Sequence, residues 1–299
     1  MTAIEGTATP ALDLSAKWSW RSVKNRIMTG LMIGAFALVA IPLFAVLWSV
    51  IAKGVGTAFA GFPDFFFKEI PIITRSPGPG MGPAILGTLL ITGGATLIAV
   101  PLGILGAIYL HEYGGNGTFA RVVRFMAMVM TGVPSIVMGL FVYIVWTLTF
   151  KYSAFGGSLA LACLMLPVII ASTEQMLKLV PGHLREAAYA LGTTKSRTIV
   201  TVVVPAALPG IVSGCLLAIA RAAGETAPLL FTVGAATSYN LRFFDGANTA
   251  LSTQIFSNAN SAFVASQDRA WGAALTLVLV TFLITLVARA FTARLALKR

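Results

Sequence analysis

The chain has 299 residues, of which 57% are hydrophobic and only 10% charged, with a formal net charge of +11. A soluble domain carries roughly 25% charged residues, so this chain cannot cover itself with polar surface and belongs in a membrane. The basic excess does not indicate nucleic acid, because it is not clustered with stacking aromatics on a polar face. The two cysteines, Cys163 and Cys215, lie in apolar runs with no metal-type spacing, which suits packing.

In chain order, residues 1–26 read as a cytoplasmic tail, small and polar over its first 16 residues. The first apolar run, 27–51, exceeds a signal-peptide core and lacks a cleavage site, so it reads as a retained span. Residues 27–83 form that span plus an external segment containing PDFFFKEI and then the turn-forming SPGPGMGP. Five more runs follow at 84–110, 125–150, 155–177, 206–233 and 270–291, each near the about 20 residues a helix needs to cross a bilayer. They must be helical, because backbone groups in lipid have to pair within their own segment, and no short alternating β-barrel segments occur. Residues 84–291 make a five-helix core, and 292–299 a second tail. The 84–110 span ends in His111, Glu112, Tyr113 and Gly114, where histidine suits the helix dipole and glycine the cap. Pro134 and Ser135 predict a bend near the inner end of the 125–150 span. Gly132 and Gly139 read as close-packing positions, and Met126, Met128 and Met130 as packing residues. With the N-terminus inside, 14 Lys and Arg fall inside and six outside, with Arg221 left in the membrane, so both termini are expected in the cytoplasm.

The loop between the fourth and fifth spans, LVPGHLREAAYALGTTKSRTIVTVVVPAALPGI at 179–211, is too long for a turn. Pro181 starts a short helix with Leu184, Ala187, Ala188 and Leu191 on one face, Gly192 stops it, and a second short helix follows from about Thr194. Small residues on such a helix pair let a partner approach closely, which predicts a docking knob. The stretch resembles the EAA loop of ATP-binding-cassette importer permeases: Glu186, Ala187, Ala188, three residues, Gly192, nine residues, then Val202, Val204 and Pro205. The two valines depart mildly from the Ile and Leu of that pattern. The resemblance implies that 179–210 inserts into a groove on an ATPase subunit.

A wider resemblance, carried by AIYLHEYG at 107–114, TGVPSIVMGLF at 131–141, STEQMLKLVP at 172–181 and ARAAGETAPLLFT at 220–232, is to phosphate-specific permease subunits of the PstA type. The PstC-type sister subunits are similar, but less so. Many relatives carry an arginine shortly before the Thr-Glu of STEQ. Here Ala171 and Ser172 stand there, so the resemblance lends no anion-steering role to that position. It implies an all-α membrane protein of six transmembrane helices with the type I ABC importer permease fold, located in the cytoplasmic (inner) membrane. The implied partners are a PstC-like sister permease, two ATPase subunits, an extracytoplasmic phosphate-binding protein, inorganic phosphate and membrane lipid.

RAAGETAP at 221–228 places Arg221 and Glu225 inside an apolar run, four apart and so on one helix face. A charged residue at a helix centre costs roughly 2.5–3.5 kcal/mol, so the pair needs a reason. It either neutralises itself structurally or handles an anion. Guanidinium fits phosphate oxygens in a planar fork. A carboxylate beside it accepts the proton that phosphate still carries near neutral pH, and repels sulfate, which carries none. Thr226 adds a hydroxyl to this pathway set, and Pro228 removes an N–H and predicts a bend. Glu174, four before Lys178, reads either as a surface pair or, by resemblance, as a residue near the inner gate.

The chain has no G-x-x-x-x-G-K-[ST] loop. ATP and Mg are therefore expected in the partner ATPase, with no cofactor bound by this chain. A membrane enzyme would need a His-Glu-x-x-His site, paired aspartates or a Gly-x-Ser-x-Gly elbow, and none is present. An importer for another oxyanion or small solute, such as molybdate, sulfate or an amino acid, is the alternative cargo reading.

Overall fold

The computed structural model describes residues 20–72, 78, 80–115 and 117–297, with side chains other than those of 288 and 291–297. The expectations for residues 1–19, for Ser76, Pro77 and Pro79 of SPGPGMGP and for residues 298 and 299 lie outside the described residues, whereas the expected tail from 292 continues α13 as far as Leu297. Those described are mostly helical, with no strand. They cluster into two units, one ending at Ser49 and the other beginning at Val50.

Helix α1, Trp20–Ala60, is 41 residues long and contains Pro42. At 1.5 Å per residue it measures about 60 Å, more than the expected span alone. Phe36, Leu38, Leu43 and Phe44 are all more than two-thirds exposed, as a helix solvated by acyl chains requires. The external segment folds into α2, Asp64–Phe67, which buries Phe65 to 1% exposure.

Helix α3, Gly82–Ile108, ends in a wide turn at Tyr109–Tyr113, where Gly114 N–H reaches back to Tyr109 O at 2.7 Å. Helices α4, Thr118–Gly132, α5, Ser135–Val142, and α6, Leu148–Phe150, occupy the expected 125–150 span, with a wide turn at Tyr143–Thr147 between α5 and α6. The expected bend at Pro134 and Ser135 is there, and it is sharper than a kink. The chain bends by 108° between Gly132 and Ser135, so 125–132 belongs to a separate helix. The cause is Pro134: it forces Val133 into the extended region (ψ 127°) and cannot continue the helical ladder. Gly132 has open space where a side chain would be, and Met126 and Met128 are about half or more exposed, so none of the three packs in this chain's own core. Gly139 does pack closely: a Cβ there would run into the backbone of Pro228.

Helix α7, Ala154–Lys178, starts where Ser153 Oγ accepts the Gly156 N–H. It lies against α3 along a seam of small residues. Ser158 Oγ donates to Ile91 O at 2.9 Å, and Gly103 leaves room for Ile169. This is the packing that membrane helices use where no hydrophobic force draws them together. Helix α8, Gly182–Ala190, is followed by Gly192 at φ 78°, a left-handed conformation that glycine adopts freely. Helix α9, Lys195–Thr198, passes through a wide turn at Ile199–Val203 into α10, Val204–Ala223. The expected second short helix is thus the first turn of a 29-residue helix, Lys195–Ala223. Val204 N–H bonds Ile199 O, one residue further back than in an α-helix, just before Pro205.

The expected 206–233 span is broken at 224–226 and resumes as α11, Ala227–Thr232. Residues 234–250 then fold over the α7 start, where Phe155 N–H bonds Phe243 O at 2.9 Å. Helix α12, Leu251–Ala259, and α13, Val264–Leu297, complete the described chain. Among the described residues, five helices are long and apolar enough to cross a membrane, six when the bent α4–α5 pair counts as one span.

Candidate functional site

Arg221 occupies the last turn of α10, and Glu225 lies just past its end. Gly224 and Glu225 N–H groups close back three residues, to Arg221 O and Ala222 O at 3.1 Å each, so the helix tightens and stops. Pro228 in the first turn of α11 lacks the N–H that would carry the ladder across. Arg221 Nε stands 3.5 Å from Glu225 Oε1. The two differ in burial: the Arg221 side chain is 71% exposed, whereas that of Glu225 is largely covered by this chain, at 18%. Both border a small crevice with Leu164, Met165 and Val168, which sets them level with the middle of α7. Ser252, buried at the start of α12, donates to the Glu225 carbonyl at 2.9 Å and holds the break in place. Thr226 is half-buried, and its hydroxyl does not cap α11.

Glu174 is not part of that pair. It lies six residues beyond Val168 on α7, about 9 Å further along the axis. It is 7% exposed, with Arg124 Nε at 2.9 Å and Lys178 Nζ at 3.2 Å. Arg124, from α4, also donates to Leu110 O and Gly115 O. A second carboxylate, Glu112, accepts from Arg185 Nη2 at 2.9 Å, with the Glu112 side chain only 7% exposed. Arg185 also donates to Val180 O and Leu177 O, and His111 Nε2 stands 3.5 Å from its Nη2.

Sequence reasoning missed Arg124, Glu112, Arg185 and Ser252. The three ionic residues had one legible signal: an acid in the last turn of a helix opposes the dipole and calls for a cation. Ser172 is packed against Gly214 and donates to Ile169 O.

The α8 region presents an outward surface. Glu186, Ala187 and Gly192 are exposed, and Leu191 and Leu179 are 84% and 73% exposed. The expected single face divides, because Leu184 packs inward against the core and Ala188 is buried. Pro205 is half-buried at the start of α10. Thr193 Oγ1 ties the loop down by bonding Ala188 O at 2.7 Å. Among the described residues no cluster of His, Cys, Asp or Glu could hold a metal ion.

Residues 99–298 match the family described as binding-protein-dependent transport system inner membrane component. This chain is a member of that permease family. The importer permease is 45% identical over 271 residues to "Phosphate transport system permease protein PstA 1" of Mycobacterium tuberculosis (strain ATCC 25618 / H37Rv), covering 90% of this chain and 87% of the relative. It is 41% identical over 279 residues to "Phosphate transport system permease protein PstA" of Yersinia pestis, covering 93% of each. A structure of the MetNI methionine ABC transporter in an inward-facing conformation superposes with TM-score 0.56 at 18% identity, over 71% of this chain and 92% of the other. A bacterial ABC transporter that imports the acidic polysaccharide alginate superposes with TM-score 0.55 at 17% identity, over 90% and 99%. These two share the fold. The protein is accordingly a multi-pass inner-membrane transport subunit.

Proposed function

We propose that this chain is the permease subunit of an ATP-driven phosphate importer, supplying half of the translocation pathway and docking an ATPase subunit through residues 179–210. One observation carries the pathway reading: Arg221, paired with Glu225, lies exposed on the surface of this chain, level with the middle of α7. A charge facing acyl chains at that depth costs roughly 2.5–3.5 kcal/mol, which a watered route beside a partner permease removes. The names of the relatives supply the cargo. Arg221 offers the fork for phosphate oxygens, and Glu225, 3.5 Å away, takes the hydrogen bond from the phosphate O–H. Sulfate has no such proton and meets only the carboxylate's repulsion.

The complex that fits this reading pairs the chain with a PstC-like sister permease, two ATPase subunits that carry ATP and Mg, and an extracytoplasmic phosphate-binding protein. Both termini lie in the cytoplasm. ATP binding closes the ATPase dimer, Glu186, Ala187, Ala188 and Gly192 move with it, and the pathway changes the side on which it opens. Glu174 keeps the end of α7 in register with α4, and Thr226 adds its hydroxyl to the pathway at the break. Reconstitution with labelled phosphate and competing sulfate tests the assignment. Arg221→Gln abolishes uptake while the complex still assembles; unchanged uptake removes Arg221 from the route, and equal competition by sulfate removes the cargo.

A further inference from the structure

The end of the molecule that carries α8 holds two buried carboxylates, each bridging separate parts of the chain. Glu112 belongs to the wide turn ending α3 and binds Arg185 in the first turns of α8. Glu174, near the end of α7, binds Arg124 of α4, which in turn holds the carbonyls of Leu110 and Gly115 at that same α3 end. Arg185 completes the connection by donating to Leu177 O and Val180 O at the end of α7. The ends of α3 and α7, α4 and α8 are thus joined by charge-assisted bonds of 2.6–3.1 Å.

By covalent connection alone, α8 would hang from α7 through Leu179, Val180 and Pro181, a three-residue link. Such a link transmits pull but little torque. Arg185 stands next to Glu186, which faces outward, so an outward contact and an inward strut occupy consecutive positions of one short helix. The Arg185 guanidinium spends its planar fork on a carboxylate and two carbonyls at once, a geometry lysine cannot reproduce. With the Glu112 side chain 7% exposed and that of Arg185 18%, the pair is shielded from salt and holds its geometry better than a surface pair.

We infer that Glu112 and Arg185 form a coupling strut, making α8 move as one piece with the ends of α3 and α7 and not as a loose knob. This deepens the docking reading above and rests on it. Both are positioning residues: neither touches ATP or phosphate.

The test measures phosphate moved per ATP hydrolysed, in the full complex reconstituted in vesicles, for Glu112→Gln, Arg185→Gln and Arg185→Lys, with Glu186→Ala alongside. The strut predicts that ATPase activity persists while phosphate moved per ATP falls by on the order of threefold to tenfold in the first two variants. Arg185→Lys falls with them, because its three N–H groups sit on one nitrogen, whereas Arg185 meets these acceptors from two. Where a variant assembles poorly, Glu112→Cys with Arg185→Cys, in a background lacking Cys163 and Cys215, decides. Its coupling is low, and a short bifunctional maleimide restores it, which repair of a folding defect would not do. Normal coupling in the Glu112 and Arg185 variants, or no recovery after crosslinking, overturns the strut. If those variants couple normally while Glu186→Ala uncouples, the strut falls and docking stands. If all couple normally, the docking reading falls first.

Discussion

Gly139 shows how little tolerance a single position has. A Cβ there collides with the backbone of Pro228, and backbone cannot swing aside as the end of a flexible side chain can. Gly139→Val is therefore expected to destabilise the complex by about 1–3 kcal/mol, read as a lower thermal midpoint in detergent. Gly132→Ala is the matched control, because open space surrounds Gly132, and it should leave the midpoint nearly unchanged. Gly192 differs again. No neighbour crowds it, but its φ of 78° costs a residue with a side chain about 1–2 kcal/mol. Gly192→Ala should thus leave assembly intact and lower ATP-coupled uptake, since the strain falls on the α8–α9 turn alone. Unaltered coupling in that variant would show that the turn's shape is not what the ATPase reads.

At the scale of elements, the broken helix is the informative feature. The stop at 224–226 arises locally, from a glycine that ends α10 and a proline that cannot continue it. Its position relative to the rest is held by α12. Ser252→Ala removes the bond to the Glu225 carbonyl, leaving a buried acceptor unmet at a cost of about 1–3 kcal/mol. The expected result is weaker phosphate uptake with normal amounts of assembled complex, because the Glu225 backbone loses its tether while the charged side chains remain. Loss of assembly instead would mean that Ser252 serves the fold as a whole. The bend at Pro134 belongs to the same scale. Hydropathy reads 125–150 as one run because lipid-facing and elbow residues are equally apolar, whereas the 108° turn follows from one missing N–H and an extended Val133.

For the whole molecule, the question is which exposed surface meets water. Leu97 in α3 is 78% exposed and the Arg221 side chain 71%, and exposure alone does not distinguish them. Cost does, because leucine is at ease in acyl chains and arginine is not. With Cys163 and Cys215 replaced by alanine, Arg221→Cys in the assembled importer should react with a small charged thiol reagent, and Leu97→Cys should not. Protection of both would place Arg221 in a dry seam and exclude a watered route past it.

The sequence alone determined the solvent, the class of element, the span count to within one break, the two ends of α8 and the family, because composition, apolar run length, proline and glycine act within a few residues. It also showed that Arg221 and Glu225 share a face, since four residues make about one helical turn. Only the tertiary structure decided that Arg221 points away from the chain's own core, that Glu174 stands with Arg124 and apart from that pair, and that Arg185 turns inward to Glu112. Those partners lie 50 and 73 residues apart in the chain. Their meeting depends on where Pro134 breaks a helix and how small residues let α3 and α7 close, and no local pattern encodes that distance.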